Sequence, residues 1–234
     1  MAIHAQPVPA PPPDAASAKP QLSRAVPLLF LVTVATGVVD AVCYLFLGHV
    51  FSAYVTGTIV LAGIRLGGGN TSALAPYAVS FAGFVLGAVC GGRLSRSIAG
   101  LRQGFVTVLS AEAALLIAAA LAAIAEPVTS DVVGRSVVLG LAGASMGAQI
   151  CATKRLNVPD MTLPAATGII HGLMHDSRAA GGTPQRARRR LAVVLALAIG
   201  AVGGAAVAHW SVPGALFCAA LIVLGVAITA SRVL

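Results

Sequence analysis

Long stretches of apolar residues without charge constrain the fold of this chain more than any other feature of its sequence. Six runs approach the ~20 residues that a helix needs to cross the hydrocarbon of a bilayer. They are residues 26–47, 77–92, 104–125, 132–152, 191–208 and 214–230. Only 9% of the residues are charged and 58% are hydrophobic, whereas soluble domains carry roughly 25% charged residues. The sequence predicts an all-α polytopic membrane protein.

Two further apolar segments are short and are built on a Thr-Gly pair. "TGTIVLAG" starts at Thr56 and "TGIIHGLM" starts at Thr167. Each segment fits a re-entrant helix, which leaves the bilayer on the side where it entered, or a short spanning helix. If both segments cross, the chain has eight transmembrane helices, and if neither does, it has six.

The positions of the basic residues favour six crossings. With a cytoplasmic N-terminus and six spans, 13 of the 15 Lys and Arg residues lie inside and only Arg65 and Arg135 lie outside. With eight spans, five of these 13 basic residues would lie outside and the two outside residues, Arg65 and Arg135, would lie inside. Ten basic residues would then lie inside and five outside. Because cytoplasmic loops carry the excess of Lys and Arg, we expect six full spans, two short helices and two cytoplasmic termini.

The order of long and short segments occurs twice along the chain. Residues 25–126 contain three long runs with one Thr-Gly segment after the first, and residues 127–234 repeat that order. The two Thr-Gly pairs are 111 residues apart, and "GAVCGG" at 87–92 resembles "GAVGG" at 200–204. Since each unit crosses an odd number of times, the second copy would be inverted, as in many transporters. The alternative is that Thr and Gly merely permit close packing of ordinary short helices.

The N-terminal composition and the positions of the charged residues indicate which binding partners to expect. Residues 1–24 are rich in Pro and Ala and are predicted to form a disordered cytoplasmic tail. The net charge of +8 lies in short connections without interleaved aromatic residues, which is typical of orientation on anionic lipid rather than of nucleic-acid binding. We expect membrane lipids and an unidentified small solute as partners, no nucleic acid and no cofactor, and leave a homo-oligomer open.

A family resemblance follows from the segments around the two Thr-Gly pairs. "GVVDAVCYLFLGHVFSAYVTGTIVLAG" resembles the first signature of the YoaK family of bacterial integral membrane proteins, a family without an assigned function. Thr58 stands where that family usually has Asn. "MGAQICATKRL" and "MTLPAATGIIHGL" resemble the second signature, although Pro164 and residues 169–171 depart from it. The matching residues are Asp40, Ala41, Phe51, Thr56, Gly57, Gly147, Gln149, Thr162, Thr167 and Gly168. The resemblance covers nearly the whole chain after the tail and implies a bacterial inner-membrane location, without naming a substrate.

Asp40 is the first candidate site residue because it lies well inside the first predicted span. An ionised carboxylate at that depth costs a few kcal/mol, so an intramembrane acid is a functional candidate. It is either a proton or cation relay, or a structural acid that is protonated or hydrogen-bonded to backbone around Thr56 and Gly57. Gln149 is its candidate neutral counterpart in the second unit. The hypothesised solute or ion path contains Asp40, Thr56, Gly57, Thr58, Gln149, Thr162, Thr167 and Gly168.

Two other features have mainly structural interpretations. Glu112 is a second intramembrane acid, and we expect it to pair with Arg96 or Arg102 near the cytoplasmic end of its helix. His171 and His175 have the i, i+4 spacing of two metal ligands on one helix face, but no third ligand is evident, so no metal site is predicted.

No catalytic motif is present either, and we expect the protein not to be an enzyme. A small-solute transporter or channel is the leading function, and a membrane-embedded enzyme or assembly factor acting on lipid-like substrates is the alternative.

Overall fold

The computed structural model describes residues 15–69, 74–125, 132–161 and 166–234, with the side chains of the first helix described from Ser23 onward. The regular structure in these residues is entirely helical, which confirms the all-α prediction. The helices are α1 (Ala15–Phe46), α2 (Val55–Gly67), α3 (Ala75–Ser97), α4 (Leu101–Ala125), α5 (Val132–Leu156), α6 (Ala166–His175), α7 (Ala187–Trp210) and α8 (Val212–Val233).

Six of these helices are long and apolar enough to cross a membrane. They coincide with the six predicted runs and comprise Ser23–Phe46, Ala75–Ser97, Leu101–Ala125, Val132–Leu156, Ala187–Trp210 and Val212–Val233. In contrast, α2 has 13 residues and α6 has 10, or about 20 Å and 15 Å of helix. Both are shorter than the ~30 Å of hydrocarbon. The helix lengths therefore confirm the prediction of six long helices and two short ones.

Helix α1 begins at Ala15, so its first turns overlap the segment that the composition assigns to a disordered tail. Residues 1–14 lie outside the described residues, and so does Thr162 of the second family signature.

Six spans place both ends of the chain on one side of the helix bundle, which we call the termini face. Helix α1 ends at the opposite face, where α2 follows it, and α5 ends at the termini face, where α6 follows it. Each short helix therefore lies after the first long helix of its half of the chain, at opposite ends of the bundle.

Glycine lets α3 and α5 pack with their backbones in contact. A Cβ atom added to Gly87 would meet the backbone of Ala144, and one added to Gly147 would meet the backbone of Phe84. Small residues at helix crossings are the usual way in which membrane helices approach closely, because lipid gives no hydrophobic drive for helix association.

Helices α1 and α7 pack in the same way. A Cβ atom on Gly37 would meet Leu197 and Ala201, and one on Gly200 would meet the backbone of Val34. The main contacts of each half are thus made with the other half, because α1 packs on α7 and α8, α5 packs on α3 and α4, and α4 packs on α8. These contacts are symmetric between the halves. If α1, α3 and α4 are equated with α5, α7 and α8, the contact of α1 with α7 corresponds to that of α5 with α3, and the contact of α1 with α8 corresponds to that of α5 with α4. The contact of α4 with α8 corresponds to itself.

Candidate functional site

Asp40 holds the chain that follows α1 inside the bundle. Its side chain is only 5% exposed, and it lies six residues before Phe46, or about 9 Å from the end of the helix. Its Oδ1 accepts hydrogen bonds from the backbone N–H groups of Ser52 and Ala53, both at 2.8 Å. The loop of residues 47–54 therefore turns back to the depth of Asp40, as the structural interpretation of this acid predicts. Oδ2 makes no hydrogen bond within the described residues.

Thr58 closes the loop onto α2. Its hydroxyl donates to the carbonyl oxygen of Phe51 at 2.6 Å and accepts from the N–H of the same residue at 2.9 Å. A Cβ atom on Gly57 would lie 3.1 Å from the Phe51 ring, so glycine provides room for that ring beside the helix. The Phe51 ring in turn stacks on Tyr44 with centroids 5.0 Å apart. Thr58 is therefore a structural element of the loop, whereas Thr56 is exposed.

A cavity of about 530 Å³ lies between α1, the loop, α2 and α7. Its lining residues are Gly37, Asp40, Ala41, Tyr44, Leu45, Phe51, Tyr54, Thr56, Gly57, Leu197 and Ala201. The cavity thus brings together three of the predicted site residues, namely those at positions 40, 56 and 57. The hydroxyl of Tyr54 is buried and has no hydrogen-bond partner within the described residues. Burial, and then the charge of Asp40, raise the pKa of Tyr54 to about 12, so this phenol stays protonated at neutral pH and is a hydrogen-bond donor.

Gln149 belongs to a different group of residues in the middle of the bundle. Its Oε1 accepts from the hydroxyl of Thr36 at 2.8 Å, and its Nε2 donates to Oε1 of Glu112 at 2.7 Å. This chain joins α1, α5 and α4 across the core. Glu112 is fully buried, and its Oε2 has no hydrogen-bond partner in the described part of the structure. The expected pairing of Glu112 with an arginine is therefore wrong, because Glu112 faces the core rather than the cytoplasmic end.

Arg190 at the start of α7 organises the termini face. It is only 8% exposed, and its guanidinium binds Oδ1 of Asp160 at 3.2 Å, Oδ2 of Asp176 at 2.6 Å and the carbonyl oxygen of Gly172. Arg186 adds an ion pair to Asp160 at 3.2 Å. The hydrogen bond from Arg190, together with one from His175, lowers the pKa of Asp176. One buried arginine thus connects α7 with both ends of the α6 region.

The second Thr-Gly pair does not join the residues around Asp40. Thr167 and Gly168 are exposed on α6, which lies at the termini face, whereas the cavity beside Asp40 is formed at the side of α2. Further along α6, the rings of His171 and His175 stack with centroids 5.5 Å apart. Nδ1 of His175 lies 3.1 Å from Oδ1 of Asp176. The described residues of the predicted site therefore fall into three places, namely the loop and cavity beside Asp40, the core and the termini face.

The comparisons with known proteins support the resemblance. The sequence profile of a family described as "Protein of unknown function (DUF1275)" matches residues 28–229. The chain belongs to this family. It is also similar to the UPF0700 transmembrane protein YoaK of Bacillus subtilis (strain 168), with 28% identity over 151 residues, which are 64% of this chain and 65% of that relative. No solved structure matches the chain. Together with its six long apolar helices, the match identifies the chain as a multi-pass membrane protein of the YoaK type.

Proposed function

We propose that this protein is a small-solute transporter or channel, and that the cavity beside Asp40 is part of its path. One observation carries the proposal: an acceptor oxygen of Asp40 and the donor hydroxyl of Tyr54 both lack partners in the described structure, and both residues line the same cavity. Buried polar groups without partners are costly, so a bound solute or water that satisfies both of them would be stabilised there. The volume of about 530 Å³ lies within the usual range of small-molecule sites.

The chemistry of the cavity suggests a class of solute. The free oxygen of Asp40 accepts hydrogen bonds and carries negative charge when the group is ionised. Tyr44, Phe51 and Tyr54 line the same space, and the faces of aromatic rings attract cations. A carboxylate among aromatic rings is a suitable environment for an amine or another small organic cation, and we propose this class.

The packing of the helices supports a mechanism with two related units. The helix contacts are preserved when the two halves are exchanged, and glycines of α1, α3, α5 and α7 bring each of these four helices into backbone contact with a helix of the other half. We propose that the halves are inverted repeats, since transporters of this design place binding sites at interrupted helices between the repeats. We further propose that the protein lies in the cytoplasmic membrane with both termini in the cytoplasm, because six crossings put 13 of its 15 basic residues on the same side as the termini.

The test begins with ligand binding. The purified protein is heated in detergent with a panel of small amines and organic cations, and with neutral and anionic analogues of similar size. A ligand that prefers the folded protein raises the melting temperature. The ligand that stabilises most is then followed into proteoliposomes containing the parent, Asp40→Asn or the control Thr229→Val. We expect uptake by the parent and the control and at least a tenfold loss in Asp40→Asn. Equal uptake by all three proteins would exclude a path through this cavity.

The alternative of a membrane-embedded enzyme or assembly factor rests on a different observation. His175, Asp176 and Arg186 line a cavity of about 480 Å³ on the termini face, where a lipid headgroup could lie. This function predicts that substitution of His175 by Gln abolishes activity, while Asp40→Asn has no effect. We favour transport, with no catalytic role, because two buried polar groups without partners in the described structure, on Asp40 and Tyr54, line the cavity beside Asp40.

A further inference from the structure

The chain of Thr36, Gln149 and Glu112 has no part in the cavity, yet it contains a second buried acid. One oxygen of Glu112 accepts from the Gln149 amide, and the other has no partner in the described structure. A carboxylate that is buried without a positive partner is much more costly than the neutral acid. Glu112 therefore needs a cation beside it or a proton on it.

Within the residues that the structure describes, no cation forms an ion pair with Glu112. Helix α4 packs on α5, α8 and α3, and the titratable or charged side chains that these helices carry are Arg135, Cys151, Lys154, Arg155, Cys218, Arg232, Tyr77, Cys90, Arg93 and Arg96. Arg155 lies against Gly104, two turns before Glu112, and is already bound to Ser95 and to the carbonyl oxygens of Ile98 and Gly100. Within the described residues, Gln149 is the polar side chain that contacts Glu112, and it is neutral.

The hydrogen bonds of this chain can run in two directions. In the direction seen, the Thr36 hydroxyl donates to Gln149 and the Gln149 amide donates to Glu112, which suits an ionised carboxylate. If Glu112 is protonated, its O–H can donate to the oxygen of Gln149 after the amide turns over, and the amide nitrogen can then donate to Thr36. The Thr36 hydroxyl has its own acceptor in that arrangement, because the carbonyl oxygen of Val32 lies 3.0 Å away. In both directions the Thr36 hydroxyl and one of the two amide N–H groups of Gln149 have an acceptor.

We propose that Glu112 is a proton-binding site in the membrane core and that its proton reverses the hydrogen bonds along Gln149 and Thr36. The step transfers one proton from a hydronium ion in bulk water to a carboxylate oxygen: one O–H bond of the hydronium breaks, one O–H bond of Glu112 forms, and no other covalent bond changes. Thr36 lies one helical turn before Asp40, so the reversal reaches α1 beside the cavity. The use of this proton to drive solute movement rests on the proposed function, whereas the occupancy of Glu112 does not.

Infrared spectroscopy tests the occupancy without any transport assay. The chain contains only two glutamates, Glu112 and Glu126, so carboxyl-13C glutamate incorporated into Glu126→Gln reports on Glu112 alone. We expect a protonated carboxylic C=O band at neutral pH that moves with the isotope. The band should be absent from Glu112→Gln and retained in Asp40→Asn. A labelled band in the carboxylate region instead would overturn the proposal, as would a protonated band that is lost only in Asp40→Asn.

A second variant tests the role of Gln149. Gln149→Leu removes the partner of the acid, so the same labelled C=O band should move to higher frequency. An unchanged frequency would show that the acid does not bind Gln149 and would overturn the reversible chain. Because these spectra are read on the labelled Glu126→Gln protein, the proposal stays testable if Glu112→Gln does not fold. A positive result without uptake in proteoliposomes would leave the proton site in place and remove the transport proposal.

Discussion

At the scale of single residues, Asp40 has one carboxylate oxygen with a structural role and one without a hydrogen-bond partner in the described structure. One oxygen holds two backbone N–H groups of the 47–54 loop, and the other has no hydrogen-bond partner among the described residues. The two roles can be separated by substitution, because Asn keeps an acceptor oxygen for the loop and changes only the free position.

We predict that Asp40→Asn melts near the parent temperature, whereas Asp40→Leu is strongly destabilised. Leu leaves the N–H groups of Ser52 and Ala53 without an acceptor, at a cost of about 1–3 kcal/mol for each buried donor. Thermal unfolding in detergent measures the difference, with Thr229→Val as the control. Equal melting of the Asn and Leu variants would contradict the anchoring role of Asp40.

The two threonines of the first Thr-Gly segment should differ. Thr58→Val keeps the shape of the side chain but removes both hydrogen bonds to Phe51, and we expect a loss of about 1–3 kcal/mol. Thr56→Val changes an exposed position and should leave the melting temperature within a degree or two of the parent. The same thermal assay compares the pair, and a larger effect at Thr56 would refute this assignment.

At the scale of helices, the glycine contacts determine how closely the two halves approach. Gly200 meets the backbone of Val34, whereas Gly203 on the same helix has no atom within 4 Å of its added Cβ. We predict that Gly200→Leu destabilises the protein by at least the ~1–3 kcal/mol typical of overpacking, and that Gly203→Leu does not. Folded yield and melting temperature test the pair. Similar losses in both variants would mean that α7 packs differently.

Arg190 should be necessary for the order of the α6 region. Arg190→Leu removes the shared partner of Asp160 and Asp176, and we expect faster proteolysis between residues 157 and 186 and a lower melting temperature. Arg188→Leu is the matched control, since Arg188 is exposed. Unchanged cleavage of Arg190→Leu would show that other contacts hold α6. Because the pKa of Asp176 is lowered, its contribution is present at neutral pH and is lost only in acid below about 4.

The sequence predicts the long helices well because an uncharged run of some 20 residues has few alternatives in a bilayer. The partners of buried polar groups are harder to predict. Glu112 and Gln149 are 37 residues apart, and helices that are apolar on all sides do not reveal which face points inward. Arg190 lies in the basic run of residues 186–190, and such a run by itself indicates only how the protein is oriented in the membrane. Two of the seven acidic residues, Asp160 and Asp176, flank the second Thr-Gly segment. Their positions are the one sequence feature that indicates an ion pair between this segment and a basic residue.

At the scale of the whole molecule, six spans make a definite prediction about accessibility. On a cysteine-free background, single cysteines at Ser17 and Thr183 should not react with an impermeant reagent applied to intact cells. Ser97 should also be protected, because it ends α3 on the termini face, whereas eight crossings would place it outside. Labelling after permeabilisation is the control for reactivity. Reaction of Ser17 or Thr183 in intact cells would reverse the proposed orientation.

The partnership of α1 with α7 also has a consequence during synthesis. Helix α1 ends at Phe46 and α7 begins at Ala187, so 140 residues separate them. At 5–20 residues per second, α1 waits on the order of 10 s in the membrane before its main partner emerges from the ribosome. During that interval the face around Gly37 is covered by lipid or by the insertion machinery rather than by α7. The helices of the nascent chain therefore cannot all pack in the order in which they are synthesised. If translation stalls before α7, α1 remains without its main packing partner.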